Sequence, residues 1–280
     1  MSDSDSEQAG VPLIEDLSDS DAPAPTNGGK RKRENDAATE SKRAAKRKKA
    51  KKPKDVQDDA LDEEKGVNHA IAHMDSSLMA DHIAQRTKRF RPDVSLVEAE
   101  DLHVPSSAIL DTTSNTETRT TDQLPGFLEQ FAGPRRSKKG SKLMNAPEAK
   151  GSPHTLVVAA GGLRAADLTR ALRKFQTKES MVAKLFAKHI KLKEAIETVK
   201  KMRMGVGVGT PQRIIDLLND GALKADCIER IVIDASHIDM KKRGILDMKE
   251  TQIPLVDLLT RADLKDRFGH GEGKIELLFF

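Results

Sequence analysis

Met204-Gly205-Val206-Gly207-Val208-Gly209, followed by Thr210, is the stretch of this 280-residue chain whose composition first suggests chemistry. Spaced glycines let a phosphate approach the backbone. The Thr210-Pro211 step that follows reads as a helix start, whose free N–H groups attract anions. A Walker loop needs G-x-x-x-x-G-K-[ST], so that its lysine reaches the terminal phosphates. Gly209 is instead followed by Thr210-Pro211, and the Walker pattern occurs nowhere in the chain. A dinucleotide fingerprint fails too, because Thr210 stands where its third glycine belongs. The glycines therefore read as places where backbones pack closely. Cys227 is the single cysteine, so an intrachain disulfide is excluded. With no base in its neighbourhood, it reads as a small buried hydrophobe in a reducing compartment. His69 and His73 lie four apart with His82 beyond, which hints at a metal. No cysteine or further ligand accompanies them, so neither metal nor cofactor is expected.

The elements around these residues alternate. Thr155-Leu156-Val157-Val158-Ala159-Ala160 predicts a strand ending at Gly161-Gly162. Leu168, Leu172 and Phe175 mark a helix face, as do Leu192, Ile196 and Val199. Residues 181–190 fit a helix as well as a short strand. The glycine run is a second strand. Thr210 caps a helix with Pro211 first, Ile214, Ile215, Leu217 and Leu218 on its apolar side and Gly221 past its end. Ile231-Val232-Ile233 is a continuous apolar run, as a central parallel strand requires. Pro254 starts a helical stretch through Leu255, Leu258 and Leu259, and Ile275 to Phe280 forms a last strand. Strands alternating with helices predict an α/β fold with an open parallel sheet.

Upstream, order is expected from about Asn68. Asp75 caps a helix with Leu78, Met79, Ile83 and Ala84 on one side, a basic end at Arg86, Lys88, Arg89 and Arg91, and Pro92 as its stop. Residues 105–150 lack a period. Leu124-Pro125-Gly126-Phe127-Leu128 looks like a short anchor, and residues 133–142 like a basic surface loop.

Charged residues make up 33% of the chain and aromatics 3%, too polar for one packed globule throughout. The formal net charge of +4 hides its distribution. Residues 1–22 carry seven acids and no Lys or Arg. Ser2, Ser4 and Ser18 each have an acid three residues on, which suits acidophilic kinases. Residues 30–54 invert the sign. Lys30-Arg31-Lys32-Arg33 and Lys46-Arg47-Lys48-Lys49 are two basic clusters of the kind read as nuclear import signals. They would also neutralise RNA phosphates. Charge this dense should be unfolded when free. No apolar run approaches the roughly 18–20 residues of a membrane span, and the acidic start lacks a secretory h-region. Residues 1–66 are expected as a disordered arm, 67–150 as a segment leading into the core, and 151–280 as the folded domain.

Val208-Gly209-Thr210-Pro211-Gln212-Arg213-Ile214-Ile215-Asp216-Leu217-Leu218 resembles the DEAD-box helicase segment V-G-T-P-G-R-L-x-D-L-L. Asp234-Ala235-Ser236-His237, after the Ile231 run, falls where those proteins have D-E-A-D. Ala159 to Arg164 lies where P-T-R-E-L would be, and Lys274 to Phe280 resembles the strand leading into S-A-T. The resemblance covers about residues 155–280 and implies a single RecA-like domain. In the helicases the D-E pair holds magnesium and activates water. Here Asp234 remains but Ala235 replaces the glutamate. The phosphate loop and a second RecA-like domain are also missing from the sequence, so no ATP hydrolysis is expected.

With its acidic-then-basic arm, the chain more closely resembles a eukaryotic family of 90S pre-ribosomal complex subunits of the Cms-one type. That resemblance implies a non-enzymatic nucleolar factor in pre-rRNA and protein assembly, partnered by pre-ribosomal proteins and RNA rather than membrane. In helicases the T-P-G-R turn touches the RNA backbone. Thr210 and Arg213 match it, Gln212 replaces its glycine, and Gly162 and Arg164 sit similarly at the first strand end. With no Trp or Tyr for stacking, such contacts would be backbone-directed and salt-sensitive. An RNA-dependent ATPase completed by a partner and a chromatin-linked binding module are the alternatives.

Overall fold

The computed structural model describes residues 60–131, 142–187 and 190–280, all within the unit Lys52–Phe280. The arm with its import clusters and most of the basic loop lie outside them.

Five parallel strands form the centre: β3 (Thr155–Val158), β4 (Met181–Leu185), β5 (Met204–Gly209), β6 (Arg230–Ile233) and β7 (Glu276–Phe279), in the order β4-β5-β3-β6-β7. Helices on both faces hide the central strands completely, which is why these read as unbroken apolar runs. The pleat sends Leu156, Ile231, Ile233, Leu277 and Phe279 to one face, and Val157, Val232 and Leu278 to the other. On the first face lie α2 (Ser76–Phe90), α6 (Leu192–Lys201), α7 (Pro211–Asp220) and α8 (Lys249–Leu259), through residues such as Met79, Val199, Ile214 and Leu255. On the second lie α4 (Leu124–Phe131) and α5 (Gly162–Ala171), through Phe127 and Leu168. The expected α/β architecture, a parallel sheet flanked by helices, is present.

Several local expectations need correction. Structure begins before Asn68. A hairpin of β1 (Leu61–Asp62) and β2 (Val67–Asn68) turns at Gly66, whose φ is +64°, and leads into α1 (His69–Ala72). In α2, which the short α3 (Leu96–Asp101) follows, Asp75 does cap, accepting the Leu78 N–H at 2.8 Å. The buried stripe, however, is Met79, Ala80, Ile83 and Thr87, with Leu78 and Ala84 exposed. The helix packs against α8, so its N-terminal half turns Met79 rather than Leu78 inward. Residues 181–185 are a strand. Pro254 lies inside α8, whose first turn starts at Lys249; the Gln252 N–H donates to the Met248 carbonyl upstream of the proline. Thr210 occupies the N-cap of α7, but its side chain makes no capping hydrogen bond. Cys227 is half-buried rather than enclosed.

The glycines of β5 are explained by close packing. A Cβ on Gly205 would lie 2.5 Å from Ser180 Oγ, on Gly207 2.6 Å from Leu185 Cδ1, and on Gly209 2.2 Å from the Leu185 carbonyl oxygen.

The aperiodic stretch near residue 110 is the part the sequence hid. Ile109 bridges Leu277 in parallel, and the Leu110 N–H donates to the Leu277 carbonyl at 2.8 Å, extending the sheet beyond β7. Arg119 follows, 1% exposed. Its guanidinium donates to the carbonyls of Ala72, Thr112 and Phe279 and stands 4.5 Å from the Phe127 ring.

Candidate functional site

In an open α/β sheet, ligands bind outside the carboxyl ends of the strands, where successive connections leave on opposite faces. Here that place is the crevice between β3 and β6. The helix after β3, α5, lies on one face, and the long helix after β6, α8, on the other. The crevice, about 420 Å³, is lined by Gly161, Gly162, Leu163 and Arg164 from β3 and α5, and by His237, Asp239, Arg243 and Met248 beyond β6.

Arg164, in its lining, pairs with the buried Asp234. Arg164 Nε donates to Asp234 Oδ2 at 2.8 Å, and a terminal nitrogen to Oδ1 at 2.9 Å. The other terminal nitrogen donates to Thr121 Oγ1 at 2.5 Å. Thr121 begins the short turn of helix that leads into α4. The Asp234 side chain is 1% exposed and that of Arg164 13%. A planar guanidinium on a planar carboxylate gives two parallel charge-assisted bonds. Asp234 therefore has its charge neutralised by a side chain of this chain. Ala235, buried beside it, offers no second carboxylate.

The N-terminal hairpin shuts one side. The Asn68 N–H donates to the Ser236 carbonyl at 2.7 Å, the Ile238 N–H to the Gly66 carbonyl at 2.9 Å, and Val67 bridges His237. His237 Nδ1 lies 3.2 Å from the Gly66 carbonyl. Burial pulls the His237 pKa below its usual value; Asp234 opposes this and Arg164 reinforces it. Past it, Asp239 accepts the N–H groups of Lys241 and Arg243 and the Arg243 guanidinium at 2.8 Å. Bonding from Arg243, chiefly through its side chain, holds the Asp239 carboxyl below its usual range.

The five RNA-contact candidates gather at the same end of the sheet but in two places. Gly162 and Arg164 line the crevice, although the Arg164 fork is occupied by Asp234. Thr210, Gln212 and Arg213 lie at the start of α7, on the sheet's other face. The Thr210 N–H donates to the Leu185 carbonyl at 3.3 Å. Gln212 is exposed and donates to Asp216 at 2.9 Å. Arg213 is half-buried and donates to the Ile190 carbonyl at 3.2 Å. Among the described residues, no group of three or more His, Cys, Asp or Glu side chains could hold a metal.

Sequence reasoning missed Thr121, Arg119 and the Arg164–Asp234 fork. Arg164 and Asp234 are 70 positions apart, and nothing local marks them as partners.

A family model described as the U3-containing 90S pre-ribosomal complex subunit, CMS1, matches residues 24–280. The chain belongs to the CMS1 family. Among the relatives of this CMS1-family chain, Protein CMS1 of Chaetomium thermophilum is 51% identical over 91% of this chain and 97% of its own length. Protein cms1 of Schizosaccharomyces pombe is 32% identical over 70% of this chain and 68% of its own. Human Protein CMSS1 is 30% identical over 59% of this chain and 55% of its own. Solved structures with a similar trace include a complex of Saccharomyces cerevisiae dbp5 with ADP, at TM-score 0.37 and 15% identity, covering 71% of this chain and 46% of that one. A DEAD box protein from Methanococcus jannaschii gives TM-score 0.33 and 13% identity, covering 67% and 48%. This chain thus spans about half the length of those two.

Proposed function

We propose that this CMS1-family chain is a non-catalytic nucleolar assembly factor of the 90S pre-ribosome, acting in small-subunit biogenesis and pre-rRNA processing. In this reading it binds pre-ribosomal proteins and RNA. The basic clusters Lys30-Arg31-Lys32-Arg33 and Lys46-Arg47-Lys48-Lys49 direct nuclear import. Residues 1–66 serve as the charged arm, 67–150 as the lead-in and 151–280 as the RecA-like platform. Gly162, Thr210, Gln212 and Arg213 are the groups left to meet an RNA backbone, with Arg164 doing so only if it leaves Asp234.

The family match supports membership of the particle, and one observation carries the non-catalytic part. Phosphoryl transfer needs a carboxylate free to hold magnesium and another group to orient water. Asp234 is instead clasped by Arg164 on both oxygens, and Ala235 follows it.

The test uses the purified chain with magnesium and ATP, and a tagged copy in cells. Expected results are no turnover above background, co-sedimentation with 90S particles, and nucleolar signal that is lost when residues 30–54 are deleted. ATP turnover abolished by Asp234→Ala would overturn the non-catalytic reading. Sedimentation with chromatin instead of pre-ribosomes would overturn the assembly role.

A further inference from the structure

The sheet has a second feature, away from the Asp234 crevice. β4 is its terminal strand, and among the described residues nothing pairs with its outer edge. The Leu185 carbonyl accepts from Thr210, on the β5 side. Since backbone groups alternate sides along a strand, those of Val182 and Lys184 face outward. From Val182 to Leu185 the strand keeps regular register with β5, because its one irregularity falls between Met181 and Val182. A trough of about 370 Å³ runs along this edge. Thr169, Arg173 and Gln176 wall it on one side, and Ala195, Val199 and Met202 on the other.

The chain around this edge is predominantly basic. From Arg170 to Arg203 it carries eleven Lys and Arg against three Glu; Arg170, Lys174, Lys200 and Lys201 pair with Asp167, Glu129, Asp220 and Glu197. Lys184, on the strand itself, is exposed. A lysine on an open edge discourages pairing with a second copy, whose own lysine would oppose it. The same lysine favours an acidic strand.

We infer that the β4 edge is a docking site for an extended acidic segment of a partner protein, which adds a sixth strand beside Val182–Leu185. Main-chain bonds to Val182 and Lys184 supply the ladder, the trough takes alternate apolar side chains, and the basic rim takes the carboxylates. Nucleic acid fits less well. It offers no ladder for the strand, and Phe175 and Phe186, the aromatics nearest this edge, are buried and cannot stack on bases. The inference does not depend on what the Asp234 crevice binds.

The test uses the full chain and two synthetic peptides, acetyl-Glu-Val-Glu-Val-Asp-Val-Glu-amide and the same sequence with lysine at every acid. Titration calorimetry is read together with amide hydrogen exchange. The acidic peptide should bind at least tenfold tighter than the basic one and slow exchange at Val182 and Lys184. Lys184→Glu should reverse the preference, and Val182→Pro, which removes an outward donor, should weaken the acidic peptide tenfold. Should Val182→Pro fail to fold, Lys184→Glu decides alone. Equal binding of both peptides, no binding of either, or an unchanged preference in Lys184→Glu would overturn the inference. So would protection of these amides by a uridine dodecamer but not by the acidic peptide. None of these results bears on ATP turnover or 90S sedimentation, so the two proposals fail separately.

Discussion

Two arginines, Arg119 buried and Arg164 half-buried, set the character of this molecule at the scale of single residues. Arg164 is matched to an acid. Removing one member of a buried pair strands the other's charge, whereas replacing both by apolar groups is often neutral. Asp234→Asn should therefore cost about 3 kcal/mol of unfolding free energy, and Asp234→Leu combined with Arg164→Met should recover most of it. A double-mutant cycle in urea checks both; additive losses would mean the fork does not couple them. Among the described residues Arg119 meets no carboxylate; it donates to carbonyls and the Thr112 hydroxyl and lies over the Phe127 and Phe280 rings. Burial accordingly pulls its guanidinium down to about 10. Arg119→Ala should cost about 3 kcal/mol, by orphaning buried carbonyls and leaving a void under Phe127.

Among the elements, β5 is the least forgiving. Its glycines let β4 approach so closely that a methyl group at Gly209 would meet the Leu185 main chain, which cannot rotate aside as a side chain can. Gly209→Ala should destabilise by about 3 kcal/mol, at the upper end for overpacking, with hydrogen exchange rising first in β4. Gly221 is the control. Its φ of +75° closes α7, but a Cβ there meets nothing. Gly221→Ala should cost only about 1 kcal/mol, the conformational term alone. The glycine pattern was legible as close packing, but the residue it packs against was not, since Leu185 lies in the stretch where strand and helix patterns tie.

For the whole molecule, stability should depend on pH through two histidines. Burial is the first cause of a lowered pKa in both His82, next to Arg86 and Asp247, and His237, next to Asp234, Arg164 and Asp239. Both resist protonation when folded and accept it at the ordinary value of about 6.5 when unfolded. The unfolded chain therefore binds more protons below that value. Their contribution is complete above about pH 6.5 and is lost as pH falls toward the lowered folded values. Melting temperature should drop between pH 7.5 and 5.5, above the range where carboxylates titrate. His82→Asn with His237→Asn should flatten that slope. An unchanged slope would assign it to other groups.

From the sequence alone came the alternation of strands and helices, the Asp75 cap, the Gly221 stop and the lack of a Walker pattern in the sequence. These are carried by neighbours within a few positions, where periodicity and backbone geometry act directly. The strand order, the edge left open at β4, the sheet extension at Ile109 and the clasp of Arg164 on Asp234 emerged only in three dimensions. Each joins residues tens to well over a hundred positions apart, through packing and charge pairing that leave no local trace in composition or spacing.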